Sequence, residues 1–207
     1  MVDGSKLVQA ALLAAGGQQY PPATLYVVAT PIGNLADLGL RALHVLAIAD
    51  AIACEDTRHS AALLRHFGLD KPLLAVHEHN ERAASETVLA RLGRGERVAY
   101  VSDAGTPALS DPGAELVAAV TSAGHRVVPI PGPSSVLAAL AAAGDRHGDG
   151  FVFVGFVPAK GSERGRCVEA AARSPSTQVL FEAPHRIESL ASALGTACAE
   201  RVVTICR

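Results

Sequence analysis

The chain has 207 residues, 49% of them hydrophobic, enough for one large domain or two small ones with a sizeable core. With 18 Lys and Arg against 20 Asp and Glu the net charge is −2, so no global basic field holds nucleic acid and any such contact must be a local patch. Aromatic residues make up 4% with no Trp, which argues against a base-stacking platform. The cysteines, Cys54, Cys167, Cys198 and Cys206, are scattered without a Cys-x-x-Cys pair, so neither a disulfide framework nor a zinc knuckle is expected and the setting reads as reducing and cytoplasmic. No apolar stretch reaches the roughly 20 residues of a membrane span, so no membrane partner is expected.

Residues 1–22 include an alanine- and leucine-rich run at 7–15 that faintly resembles a signal-peptide core. Only Lys6 precedes it and Gly-Gly-Gln-Gln follows, so the segment reads as a flexible N-terminal extension. From Thr24 the pattern is regular. Short apolar, β-branched runs at 24–29, 51–54, 72–76, 98–101 and 127–130 read as strands. Between them, 35–49, 57–67 and 81–92 have helical spacing. A fourth helix is capped by Asp111, with Pro112 in its first turn and Gly124 after its end, and a fifth spans 134–143. Five strand-helix repeats mean a mainly parallel sheet covered on both faces, a first α/β domain over residues 23–144. Residues 145–150, polar and Gly-rich, read as a linker. A second, smaller α/β domain over 151–207 follows, with strands at 151–157, 177–181 and 202–206, helices at 162–172 and 184–194, and a mixed sheet. Its last strand is cut by the chain end at Arg207, so an incomplete domain is expected.

The joints after the strands are where α/β proteins bind ligands. After the first strand, Thr30-Pro31-Ile32-Gly33-Asn34 offers a rigid turn and backbone amides, but matches neither Gly-x-Gly-x-x-Gly nor a P-loop. Ser102-Asp103-Ala104-Gly105-Thr106-Pro107 and Pro131-Gly132-Pro133-Ser134-Ser135 bring small residues, hydroxyls and one acid, with no Lys. That suits a ligand with a positive or hydrogen-bond-donating part better than a naked polyphosphate. Cys54-Glu55-Asp56-Thr57-Arg58-His59 is open to two readings: acids and Arg58 positioning a polar substrate, or a capped helix start with Asp56 or Thr57 as N-cap. His77-Glu78-His79 carries ligand types, but adjacent residues of an extended segment point opposite ways and no third ligand is placed, so no metal is expected. In the second domain, Phe181-Glu182-Ala183-Pro184-His185-Arg186 packs three ionisable residues behind a strand, either as a helix start or as a hydroxyl-orienting group with Arg186 on a phosphate. Lys160, Arg164 and Arg166 lie on what reads as a flexible basic loop, the best candidate for a phosphate patch.

Taken in order, LYVVATPIGN (25–34), CEDTR (54–58), VSDAGTPALSDPG (101–113), PIPGPSS (129–135), GFVPAK (155–160) and FEAPHR (181–186) closely resemble the bacterial small-subunit ribosomal RNA methyltransferase I family, within the tetrapyrrole-methylase-like class of S-adenosylmethionine methyltransferases. The resemblance covers nearly everything from Thr24 onward. It implies two α/β domains with the cofactor in the cleft between them and a homodimer. It also implies 2′-O-methylation of a cytidine ribose in the decoding region of 16S rRNA, free or in the 30S subunit. By motif position, Ile32, Gly33, Asp103, Ala104, Gly105, Thr106, Ser134, Ser135 and Val136 would line the cofactor site, with Phe181 and Cys206 closing it. Glu182 would hold or partly deprotonate the hydroxyl, with Asp56 or Arg58 holding the nucleotide. Lys160, Arg164, Arg166, His185 and Arg186 would meet RNA. Family members continue past the strand at 202–206, so the segment that completes the second sheet is expected to be missing here. Two other readings stand beside this one: a methylase of a tetrapyrrole or other small molecule, and a non-catalytic cofactor- or RNA-binding remnant.

Overall fold

Five short runs pair into one all-parallel sheet: β1 (Thr24–Val28), β2 (Ala51–Cys54), β3 (Leu73–Ala75), β4 (Val98–Val101) and β5 (Arg126–Ile130), in the order β3-β2-β4-β1-β5. The computed structural model describes residues 4–77, 80–108, 113–145 and 150–207. β2 and β4 are buried at every position, as strands covered on both faces must be. Alternate residues serve opposite faces. Tyr26, Val28, Ile52, Cys54, Ala99 and Val101 face one core with α2 (Leu40–Ile48) and α3 (Thr57–His66). Leu25, Ala53, Val98 and Tyr100 face the other with α4 (Glu81–Gly93) and α5 (Ala114–Ser122). The single helix expected over 35–49 is split. Asn34 accepts from Ala36 N at 3.1 Å and caps a 3-10 turn over Leu35–Asp37, and α2 begins only after Gly39.

The sequence reads residues 1–22 as a flexible extension; the structure instead places a helix, α1 (Gly4–Ala15), against α2. Ala11 is fully buried in the same core as Leu43 and Leu46, with Leu7 and Val8 packed beside it, and Ala15 is buried too. Small side chains let the helix approach closely, so an alanine-rich run that looks low in information is a packing surface. The segment after it is tied down by Tyr20 Oη to Ala15 O (3.1 Å) and by Arg97 Nε to Tyr20 O (2.9 Å). Asp111 and Pro112, expected to start α5, lie outside the described residues; Gly113 is the residue ahead of the helix.

The chain packs as two units, Met1–Ser134 and Ser135–Arg207, so the division falls ahead of α6 (Ser135–Ala143), earlier than the expected linker. Of that linker, Asp145 accepts a hydrogen bond from Thr177 Oγ1, and 146–149 lie outside the described residues. In the second unit β6 (Phe151–Phe156) pairs with β7 (Thr177–Phe181), with a bulge between Phe153 and Gly155. The pair is parallel, so the mixed sheet expected here is not found among the described residues. α7 (Gly161–Arg173) and α8 (Ile187–Ala197) enclose a core of Val157, Val168, Leu190 and Leu194. Residues 202–206 form no strand despite their β-branched pattern. A strand exists only with a ladder partner, and Val202 is left 94% exposed.

Candidate cofactor and substrate site

Because the sheet is all parallel, the joints after β1, β2, β4 and β5 lie at one edge. Side chains and backbone tie them into one ledge. Thr30 N donates to Gly105 O (2.9 Å), Gly105 N donates back to Thr30 O (3.1 Å), and Thr30 Oγ1 donates to Ser102 O (3.1 Å). Thr106 Oγ1 donates to Pro133 O at 3.2 Å, joining the β4 joint to that of β5. Asp103 Oδ1 accepts from Asp56 N at 3.2 Å, joining it to that of β2. Glycine matters at two of these joints. Gly105 has φ +83°, where L side chains are strained, and a Cβ on Gly132 would stand 3.0 Å from the Ala29 methyl. Ile32, Gly33 and Ala104 present exposed surface beside this ledge. Ser134 ends the first unit, while Ser135 and the buried Val136 open α6 in the second.

Between the β1 joint and α3 lies a cavity of about 170 Å³. Pro31, Leu35, Ala62 and Leu63 make its walls. Thr30, His59 and Asp103 are its polar lining residues. Of these, His59, Leu35, Ala62 and Leu63 were missed from sequence. The signal was present, since 59, 62 and 63 share one helical face at i, i+3 and i+4.

Of the two readings of 54–59, the structure shows the cap. Asp56 is the N-cap of α3 and accepts from Arg58 N at 2.8 Å. Its carboxylate also takes both prongs of the Arg58 guanidinium, Nε at 3.1 Å and Nη2 at 2.7 Å. Hydrogen bonding to Arg58 holds the Asp56 carboxyl far below the usual carboxylate range, so it is no proton acceptor at neutral pH. Burial pushes the Cys54 thiol up, a hydrogen bond with Ser60 opposes this in part, and the nearby Asp103 and Asp56 charges add to the rise, so Cys54 stays a neutral thiol.

In the second unit, Glu182 does not stand as a free base. Its side chain is 2% exposed, and its oxygens are taken by Arg164 Nη1 (2.8 Å), Ala183 N (2.9 Å) and the ion-pair contact of Arg186 Nε (2.7 Å). Burial alone would raise its pKa. The hydrogen bonds from Arg164 and Ala183 and the charges of Arg186 and Arg164 outweigh it, and the net direction is down. A carboxylate so held is a weak acceptor for a hydroxyl proton, and it orients two arginines instead. Arg164 is therefore not on a flexible basic loop: α7 starts at Gly161 and turns it inward, where Nη1 also donates to Pro158 O at 3.0 Å. Lys160, Arg166 and His185 stay exposed, and Arg186 is partly so. Phe181 ends β7 with its ring edge-on to Phe153 (5.0 Å) and Phe156 (5.3 Å). Cys206 lies in the irregular C-terminal segment, its Sγ 4.0 Å from Ala139 O. Glu78 and His79, weighed as metal ligands, lie outside the described residues.

The parallel sheet with its small-residue ledge is an α/β ligand-binding architecture, and residues 24–207 match the model of the tetrapyrrole (corrin/porphyrin) methylases; the chain belongs to that family. Among curated proteins it is similar to those named ribosomal RNA small subunit methyltransferase I. That of Xylella fastidiosa is 50% identical over 175 residues, covering 84% of this chain and 64% of the relative. That of Pseudomonas aeruginosa is 50% identical over 185 residues (89% and 65%), and that of Escherichia coli O157:H7 is 47% identical over 184 (88% and 64%). The chain thus spans just under two-thirds of the length of these relatives. Two solved structures share its fold: uroporphyrin-III C-methyltransferase from Thermus thermophilus (20% identity, TM-score 0.60, 84% of this chain and 76% of that one) and diphthine synthase (18%, 0.62, 86% and 72%).

Proposed function

We propose that this chain belongs to an S-adenosylmethionine-dependent methyltransferase that modifies the 2′-hydroxyl of a cytidine ribose in the decoding region of 16S rRNA, working as a homodimer on free rRNA or the 30S subunit. The observation that carries the cofactor assignment is the ledge in which the β1, β4 and β5 joints are hydrogen-bonded to one another. Its donor set fits this cofactor. Small residues at Gly33, Gly105, Thr106 and 131–134 let backbone approach a nucleoside and an amino-acid tail closely. Among the described residues, no Lys or Arg stands among them to demand a polyphosphate. Bound there, the cofactor supplies a methyl group made electrophilic by its sulfonium. The chain's own work is to bind, orient and exclude water. Aligning the reacting atoms supplies several kcal/mol of barrier reduction without a strong base, consistent with the carboxylates of Asp56 and Glu182 both being engaged by arginines. The RNA assignment rests on the names of the relatives and on the exposed Lys160, Arg166 and His185 and the partly exposed Arg186 of the second unit. Among the described residues no helix is long and apolar enough to cross a membrane.

Titration calorimetry with S-adenosylmethionine and methyl transfer to small ribosomal subunits, with mapping of the modified nucleotide, test this reading. Saturable binding and one 2′-O-methylcytidine are expected; no heat, or methylation of a tetrapyrrole instead of RNA, would sink it. In the Lys160→Ala, Arg166→Ala double variant, the slope of log affinity against log salt should fall by roughly 0.7–0.9 per lost phosphate contact. An unchanged slope removes these residues from the interface.

A further inference from the structure

We propose that the cavity between the β1 joint and α3 receives a single amino-bearing nucleobase of the RNA, with Asp103 as its hydrogen-bond acceptor and the His59 ring beside it. This deepens the rRNA reading above and rests on it. The resemblance assigned Asp103 to the cofactor; the structure puts Asp103 among the residues that line this cavity. Four features fix the ligand class. The volume, about 170 Å³, lies below the roughly 300–1,000 Å³ of sites for whole drug-sized ligands and suits one ring. The walls are Pro31, Leu35, Ala62 and Leu63, which suit the faces of a flat heterocycle. Among the described residues no Lys or Arg lines the cavity, and Arg58, beside His59 in the chain, is ion-paired to Asp56, so an anion finds no partner among them. Lastly, Asp103 Oδ1 accepts from Asp56 N, and among the described residues no donor meets Oδ2, so the carboxylate keeps acceptor capacity.

A carboxylate oxygen facing an apolar slot selects a neutral ring with an outward N–H, and the exocyclic amine of cytosine or adenine provides one. Uracil presents its one ring N–H between two carbonyl oxygens, which the carboxylate repels. A base reaches such a slot only when unstacked and splayed from its strand, the usual mode of sequence-specific RNA recognition. The adenine of S-adenosylmethionine carries the same amine, so the test separates the two sources.

The experiment is NMR of the intact chain, following the Leu35 and Leu63 methyls and the His59 ring during titration with cytidine 5′-monophosphate, uridine 5′-monophosphate or S-adenosylmethionine. The cytidine nucleotide should move these signals at concentrations about tenfold or more below the uridine nucleotide. Asp103→Asn keeps an acceptor for Asp56 N but turns an amide N–H₂ to the base amine. It should weaken cytidine binding roughly tenfold to hundredfold and abolish the preference over uridine. Ala62→Phe, at an exposed position that tolerates size, should block the nucleotide and keep the parent's calorimetric affinity for S-adenosylmethionine. Equal response to both nucleotides, no response, or displacement of the cytidine nucleotide by S-adenosylmethionine at these signals overturns the proposal. A parent that fails to bind S-adenosylmethionine overturns the cofactor assignment instead, and the nucleotide titration still reads the cavity.

Discussion

In the first unit the strands β1, β2 and β4 bury nearly every side chain, and two cores lie on opposite faces of the sheet. In the second, a two-stranded ladder leaves Phe151, Val152 and Phe156 about half exposed, and among the described residues its core cluster has four buried members. Polar groups take over there. Glu182 holds Arg164 and Arg186, and the Arg201 guanidinium donates to the carbonyls of Ala171 (3.0 Å), Ala172 (3.2 Å) and Ser174 (2.8 Å) at the end of α7, and to Ser176 O (3.1 Å). A cation on the last carbonyls of a helix satisfies orphan acceptors and meets the negative end of its dipole. Among the described residues of this unit, arginines thus hold the buried acid and the helix-end carbonyls.

The largest expected effect tests that contrast directly. Leu46→Ala, at a site 1% exposed in the first unit, should cost toward the upper end of the roughly 2–5 kcal/mol seen for buried leucines. Leu190→Ala, in the smaller cluster, should fall near the lower end because fewer neighbours surround the void. The chain has no Trp, and its three tyrosines, Tyr20, Tyr26 and Tyr100, all lie in the first unit, so tyrosine emission during urea unfolding reports that unit alone. Amide exchange in β7 reports the other. Equal costs would erase the contrast.

Glu182→Gln comes next. It removes the charge that two arginines share, at about 1.5–3 kcal/mol for hydrogen bonds to a charged group, and should speed amide exchange in β7 and α7 while leaving tyrosine emission unmoved. The depressed Glu182 pKa sets the pH sense. Its stabilisation is complete above the unfolded carboxylate value, near 4.3, and is lost as pH falls through the lower folded value. A Glu182→Gln variant whose second unit is as stable as the parent at neutral pH would show that the arginines are held by something else.

These two units were unequally legible in the sequence. The strands and joints of the first were plain, because buried parallel strands read as continuous β-branched runs and their joints as Gly, Pro and hydroxyl residues. α1 was not, since alanines that pack closely look the same in sequence as alanines in a tail. In the second unit the polar devices defeated the reading. Nothing in Lys160-Gly161-Ser162-Glu163-Arg164 shows that helix α7 turns Arg164 onto an acid 18 residues away, and Arg201 serves carbonyls up to 30 residues earlier. Residues 202–206 have strand composition, but composition cannot supply a partner. At the candidate site, the ledge and Asp103 were legible by their place after strands, whereas the cavity needed α3 to bring His59, Ala62 and Leu63 to the β1 joint.

The smallest effect sharpens the contrast by pH. His44, on α2, is 5% exposed, with its ring centre 4.8 Å from that of Tyr20 in the segment joining α1 to β1. Burial lowers its pKa, so the folded first unit keeps it neutral, while the unfolded chain protonates it near 6.5. Below that value the unfolded state binds more protons, so stability rises with pH in this window. The contribution of His44 is thus fully present above about pH 6.5 and is lost as pH falls toward the lower folded value. Glu182 in the second unit does not begin to lose its share until near pH 4.3, so between these limits acid should weaken the first unit alone. Urea midpoints from tyrosine emission should fall between pH 7.5 and 5.5 while exchange in β7 holds steady. His44→Phe, which keeps a ring against Tyr20 but cannot take a proton, should flatten the tyrosine-detected slope. A slope unchanged in that variant would place the acid sensitivity elsewhere in the first unit, and a parallel loss in β7 would mean that the two units do not answer pH independently.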